Sequence, residues 1–155
     1  MAVNNCPTNL QSLVPDLYPA QPSNTGSKID LLQNWLDSQL SDADDKVFIT
    51  KEGDDKFKID VNGEIEYVNG EQLKKLKFDL KGGKDTMVVG EGVPTDITVN
   101  LGDGDDSFWG GGGNDNVNGG NGNDKIYGRG GNDTMDGGAG NDEIWGLLGK
   151  NVMIG

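Results

Sequence analysis

Aspartate and glycine recur every nine residues through the last third of the chain. Written in nines from Leu101, the sequence reads LGDGDDSFW, GGGGNDNVN, GGNGNDKIY, GRGGNDTMD, GGAGNDEIW and GLLGKNVMI, and Gly155 opens a seventh. Position 4 is always glycine: Gly104, Gly113, Gly122, Gly131, Gly140 and Gly149. Position 6 is Asp106, Asp115, Asp124, Asp133 and Asp142, then Asn151. Carboxylates and the main-chain carbonyls of glycine turns are hard oxygen donors. The chain has no histidine, and its single cysteine, Cys6, lies far from these turns. A site of six to eight oxygens at flexible spacing suits calcium better than magnesium, and offers little to zinc or copper.

Such donors need elements to hold them. Positions 7 to 9 are free of glycine and alternate outward, inward, outward, as a short strand does. Position 8 is Phe108, Val117, Ile126, Met135, Ile144 and Met153, a large apolar residue every time. Positions 1 to 6 have the composition of a turn that visits positive φ. A short strand and a turn, repeated, wind into a solenoid. One inward apolar residue per repeat is a thin core, and it cannot offset the ordering of so many glycines. The turns must therefore contribute stability.

This register resembles the RTX (haemolysin-type) calcium-binding nonapeptide repeat family, strongly over 101–155 and weakly over 80–100. In the weaker stretch Gly83, Asp85 and Met87 echo positions 4, 6 and 8, while Val99 alone keeps position 8 of its repeat. The resemblance implies a mostly all-β fold: a calcium-bound parallel β-roll, or β-solenoid, with two nonapeptides to a coil. Residues eighteen apart then stack in adjacent coils about 4.8 Å apart. Asp106, Asp124 and Asp142 form one column, and Asp115, Asp133 and Asn151 the other. Bare, these columns repel. The metal-binding residues it implies are those six, with Asp103 and the turn glycines Gly102, Gly104, Gly111, Gly113, Gly120, Gly122, Gly131, Gly138 and Gly140. Three to four calcium ions fit, the weakest at Asn151, since affinity follows ligand charge. Phe108, Ile126 and Ile144 would stack inside one sheet, and Val117, Met135 and Met153 inside the other. Trp109, Tyr127 and Trp145 would form an outward ladder, offering a face to a protein or carbohydrate partner.

The 155 residues carry a net charge of −13. That argues against nucleic acid or an anionic membrane as the main partner. No apolar run reaches membrane-spanning length, and no charged segment followed by an apolar one opens the chain as a cleaved signal would. One cysteine allows no intrachain disulfide. Glycine is unevenly shared, with 18 of 26 after residue 100.

Residues 1–26 hold Pro7, Pro15, Pro19 and Pro22 and are expected to be a disordered or targeting tail. Residues 27–79 are expected to cap the roll. Ser27 to Leu40 predicts a helix, with Ser27 and Asp30 as a capping box and Ile29, Leu32, Trp35 or Leu36, and Leu40 as its apolar stripe. Lys46 to Leu80 predicts strands, with Asn62-Gly63 as a hairpin turn, Asn69-Gly70 as a second turn, and a short helical turn or degenerate coil around Leu73 to Leu80. Residues 80–155 form the expected roll, continuing beyond 155.

Rival chemistries fail on particular residues. An EF-hand beginning at Asn114 would place Lys125 where a bidentate glutamate is required. Gly149-Lys150 is followed by Asn151 and lacks the upstream glycine of a P-loop. Without histidine there is no Ser-His-Asp triad and no HExxH zinc site. Ice binding would need a flat outward row of threonines, and neither face at positions 7 and 9 is such a row. The chain is thus expected to be a non-enzymatic calcium-binding module of a secreted, extracellular bacterial protein, unfolded where calcium is scarce. The alternative is the N-terminal targeting or regulatory segment of a secreted toxin, effector or hydrolase whose catalytic domain follows residue 155.

Overall fold

The structure is a computed structural model and describes residues 27–155. The expected tail, 1–26, lies outside the described residues. Helix α1, Lys28–Gln39, leads into a hairpin of three antiparallel strands, β1 (Lys46–Gly53), β2 (Lys56–Val61) and β3 (Glu64–Val68). A short helix α2 (Gly70–Lys75) follows, and then nine short strands: β4 (Lys77–Asp79), β5 (Thr86–Val89), β6 (Thr98–Asp103), β7 (Ser107–Trp109), β8 (Asn116–Asn121), β9 (Lys125–Tyr127), β10 (Thr134–Asp136), β11 (Glu143–Trp145) and β12 (Val152–Ile154).

These nine alternate between two sheets, which makes the molecule a parallel β-solenoid. One sheet runs β11-β9-β7-β5-β1-β2-β3, and the other β12-β10-β8-β6-β4. Pairing within the roll is parallel, and from β6 and β7 onward it is eighteen residues apart in register: Phe108 with Ile126, Ile126 with Ile144, Val117 with Met135, Met135 with Met153. Position 8 therefore points inward from both sheets, and Phe108, Val117, Ile126 and Met135 are buried. Met153, in β12, is 53% exposed.

Cap and roll share both sheets. β1 pairs in parallel with β5 while pairing antiparallel with β2, so one strand serves hairpin and roll. β4 already belongs to the five-stranded sheet. The core is thicker here than in the later coils. Val47, Ile49, Phe57, Ile59 and Val61 of the hairpin meet Leu32, Leu36 and Leu40 of α1 and Leu73, Leu76, Phe78 and Leu80 of the following segment. Trp35 and Ile29 pack at the edge of this cluster, so the helix uses both of the alternatives at Trp35 and Leu36.

Two local expectations are corrected. Ser27 is the N-cap of α1, but its side chain makes no cap hydrogen bond, so the capping box with Asp30 does not form. Asn69-Gly70 is not a free turn. Asn69 caps α2: its side chain accepts from Gln72 N, and the Gln72 side chain accepts from Asn69 N, at 2.8 and 2.9 Å. An Asn-Gly pair is a turn signal, yet a glutamine three residues after the asparagine is equally a helix-start signal, and the buried Leu73 gave that short helix something to pack on.

The outward ladder is present. Trp109 and Tyr127 stack at 5.6 Å and 4°, Tyr127 and Trp145 at 4.7 Å and 6°. Because each ring lies face to face with the next, the ring faces are used by neighbouring coils, and solvent meets mainly their edges. Such stacking is worth about 0.5–1.5 kcal/mol per pair. It supports the sheet from outside, where the inner core is thin.

The helix cap should behave as part of the roll's cooperative unit. Leu36 is fully buried, and Leu36→Ala should cost about 2–5 kcal/mol of stability in urea unfolding of the calcium-saturated protein. A loss below about 1 kcal/mol would mean that the helix opens independently of the coils.

Candidate metal centre

Each position-6 aspartate does two things with its two carboxyl oxygens. Oδ1 accepts a backbone N–H from the coil before: Asp106 N donates to Asp124, Asp124 N to Asp142, Asp115 N to Asp133, and Asp133 N to Asn151, at 2.8–2.9 Å. Oδ2 has no partner. Buried, unpartnered Oδ2 atoms occur at Asp85, Asp106, Asp115, Asp124, Asp133 and Asp142. A buried acceptor without a donor is costly, and a buried charge without a counter-charge more so. One such atom could be chance, but one in each of six turns describes a repeated site for a cation.

The surroundings of these atoms are oxygen-rich and too tight for any side chain. A Cβ added at Gly110 would collide with Asp115 Oδ2 and the Gly128 carbonyl. At Gly119 it would meet Asp124 Oδ2 and the Gly137 carbonyl, and at Gly128 it would meet Asp133 Oδ2. Each place therefore joins a carboxylate of one turn to a carbonyl of the next. No group of three or more acidic, histidine or cysteine side chains gathers among the described residues, so a bound ion must complete its shell from the main chain. The position-4 carbonyls fit that need. Gly104 O lies against Gly122, Gly113 O against Gly131, and Gly122 O against Gly140. None of these carbonyls accepts a backbone hydrogen bond among the described residues. Hard oxygens, flexible glycine turns and one anionic oxygen per turn are the donor set that calcium takes. The residues fit that ion.

The other glycines named from sequence act differently. At position 2, the carbonyls of Gly111 and Gly120 accept from Gly130 N and Ala139 N, so they are committed to holding coils together. Gly102, Gly120 and Gly138 have φ of 103°, 99° and 85°, the left-handed conformation the turn demands. Asp103 lies apart from the buried Oδ2 row: its side chain is exposed and accepts from Asn121 Nδ2 at 2.8 Å, and its carbonyl accepts from Gly83 N. Asn151 places Oδ1 as the aspartates do, but its Nδ2 donates to Leu148 O at 3.0 Å. The amide is thus self-satisfied where a carboxylate would need a cation.

Sequence reasoning passed over the position-1 glycines, Gly110, Gly119, Gly128 and Gly137, whose missing side chains make room for the oxygens. It also left Asp85 out of the site. Asp85 is fully buried, its Oδ1 accepts from Asp45 N at 2.7 Å, and its N donates to Asp106 Oδ1. It extends the Asp106 column by one coil at a spacing of twenty-one, because residues 89–100 insert three residues into a nonapeptide. The echo at Gly83 and Asp85 was the available signal. The column is closed by Asp45, which is satisfied without an ion: Oδ1 accepts from Asn62 Nδ2 and Oδ2 from Ser41 N. Asp44 Oδ1 receives Lys84 N, as Asp105 Oδ1 receives Asn123 N. The segment Ala43–Asp45 thus imitates positions 4 to 6 of a coil.

Electrostatics follow from burial. Desolvation raises Asp85 to about 7, Asp106 to about 6 and Asp115 to about 7, with backbone hydrogen bonds opposing and neighbouring carboxylates adding to the rise. Asp124 and Asp133 move the same way for the same first reason. A carboxylate whose folded pKa exceeds its unfolded value binds more protons folded than unfolded between the two. Stability of the metal-free coils should therefore fall as pH rises from about 4 to about 7. Calcium requires the ionised form, so its binding should release protons in that window and tighten with pH. Circular dichroism of metal-stripped protein, with calorimetry near pH 6 in buffers of different ionisation enthalpy, reads both. Flat pH dependence in both would contradict the buried row. In the last coil, Asn151→Asp should create a new unpartnered Oδ2 and tighten the weakest calcium step, whereas an unchanged isotherm would place that turn outside the column.

The family profile described as RTX calcium-binding nonapeptide repeat (4 copies) matches the chain over residues 98–126 and again over 127–155. No match was found among curated proteins, nor among solved structures. The matched stretches cover β6 to β12 and carry five of the six unpartnered aspartates, with Asp85 just outside. Residues 98–155 therefore belong to the RTX calcium-binding nonapeptide repeat family.

Proposed function

We propose that the chain is a calcium-folded β-roll module of a secreted bacterial protein, without catalytic activity of its own. The observation that carries this reading is the row of buried, unpartnered Oδ2 atoms, one to a turn in Asp85, Asp106, Asp115, Asp124, Asp133 and Asp142. Their mutual repulsion and desolvation oppose folding in the absence of a cation. A cation that binds the folded turns and not the unfolded chain adds its binding free energy to folding.

Calcium is scarce inside cells and abundant outside them, so such a module stays extended during export and folds after it. Membership of the repeat stretch in a family typical of secreted bacterial proteins supports this compartment. No helix among the described residues is long and apolar enough to cross a membrane. The aromatic ladder is a weaker guide to a partner. Its rings are stacked on one another, which leaves little open ring face for a sugar.

Calcium titration into chelator-treated protein should raise the β signal in circular dichroism and protect the amides of β6 to β12 from hydrogen exchange. Chelator should reverse both. Equal spectra and equal protection with and without calcium would overturn the reading.

A further inference from the structure

Arg129 is the one arginine of the chain. It stands at position 2 of its nonapeptide with φ of 68°. Glycine fills that position at Gly102, Gly120 and Gly138, where a left-handed backbone carries no steric penalty. A side chain held there is strained, as it is at Lys81 and Leu147 in the same position. At Arg129 the guanidinium has partners. Nη1 donates to Val89 O at 3.3 Å and to Gly110 O at 3.4 Å, partly buried. The group takes part in none of the three ion pairs among the described residues.

Those two carbonyls have a defined place in the roll. Val88 pairs with Trp109, so Val89 and Gly110, which follow them, are position-1 residues of successive turns. One turn later the Gly128 carbonyl converges with Asp115 Oδ2. The corresponding pair one turn earlier is the Gly110 carbonyl and Ile97. Ile97 occupies position 6: its N donates to Asp115 Oδ1, and its carbonyl accepts from Asn116 N. Asp115 makes the same two bonds with Asp133 Oδ1 and Thr134 N. Ile97 is buried and brings no charge. The turn that has lost its carboxylate is thus the turn whose carbonyl receives a guanidinium. A divalent ion there would have carbonyls alone, too little charge to hold it. An arginine is tethered by its own chain and needs only acceptors.

We propose that Arg129 is a resident cation, bridging successive turns where Ile97 replaces aspartate and taking the place that a metal ion takes in the turns below. Lys81 follows the same logic next to the cap. It too sits at position 2, with φ of 70°, and its ammonium donates to Leu40 O at 2.9 Å and Asp37 O at 3.5 Å, at the C-terminal end of α1. The first coils and the cap are in this way tied by side chains of the protein itself, and dependence on calcium is confined to the turns that keep their aspartate. Only the metal comparison rests on reading those turns as calcium sites.

The test has two arms. In calcium-saturated protein, Arg129→Gly should speed hydrogen exchange at Gly112 N and Asn116 N, which join the two turns through Val93 O and Ile97 O, by roughly tenfold or more, as loss of a charged hydrogen bond does. Val152 N, two coils away, should keep its rate. Arg129→Lys should fall between. Leu147→Gly is the control, since Leu147 has the same position and a φ of 65° but no charge, and it should change nothing at Gly112 and Asn116. Unchanged exchange in Arg129→Gly, or an equal change in Leu147→Gly, overturns the proposal. In the second arm, calorimetry should count one more calcium ion in the Ile97→Asp, Arg129→Gly double variant than in wild type, and no additional ion in Ile97→Asp alone, where the new carboxylate meets the guanidinium. An unchanged count in a folded double variant overturns the proposal, and if that variant does not fold, the exchange arm decides. Should wild type bind no calcium, the calcium reading fails, while the exchange arm still decides the role of Arg129.

Discussion

A buried carboxylate oxygen with no donor is the constraint around which this molecule is arranged. Six turns of the roll hide one each, and the turns are stacked so that these oxygens form two rows. Removing any single oxygen from water without compensation is unfavourable, and stacking them adds repulsion. The glycines make sense in that light. They are absent side chains at position 1, where oxygens converge, and left-handed backbone at position 2, where a Cβ would strike the carbonyl of the coil before. The sequence thus builds a set of oxygen cradles whose donor set fits a divalent cation.

The cap meets this constraint without an ion. At the cap, Asp45 closes the column with neutral donors from Ser41 and Asn62, and a broad apolar cluster replaces the one-residue core of the later coils. Lys81 and Arg129 both stand at position 2 of their turns. Both accept a strained backbone to place a positive charge on main-chain carbonyls.

The aromatic ladder belongs to the same economy of a thin core. Parallel coils repeat every eighteen residues, so identical positions fall in line, and Trp109, Tyr127 and Trp145 stack without any search for complementary shape. The column continues toward the cap through Val88 and Phe48, which pair in register with Trp109 and with each other. A surface that looks like a binding face in one dimension is, in three, mainly a set of ring edges.

By itself, the sequence determined what depends on period. The nine-residue spacing of Gly104 to Gly149 and Asp106 to Asp142, with an apolar residue at every position 8, fixed the strand–turn repeat, the inward stacks and the two aspartate columns, because a parallel roll converts spacing into contact. The helix of Lys28–Gln39 and the hairpin at Asn62-Gly63 were legible from apolar spacing and turn chemistry. What only the tertiary structure decided depends on which oxygen faces which. Position-1 glycines stand out once Asp115 Oδ2 and the Gly128 carbonyl are seen to meet at Gly110, and the Asp103 side chain is placed at the surface, apart from the buried row. Asp85 joins the column across an insertion of three residues that breaks the period, so counting in nines misses it. The role of Arg129 lies further still from the sequence, since its guanidinium reaches back forty residues to Val89, and no local pattern encodes a contact made by a side chain across two coils.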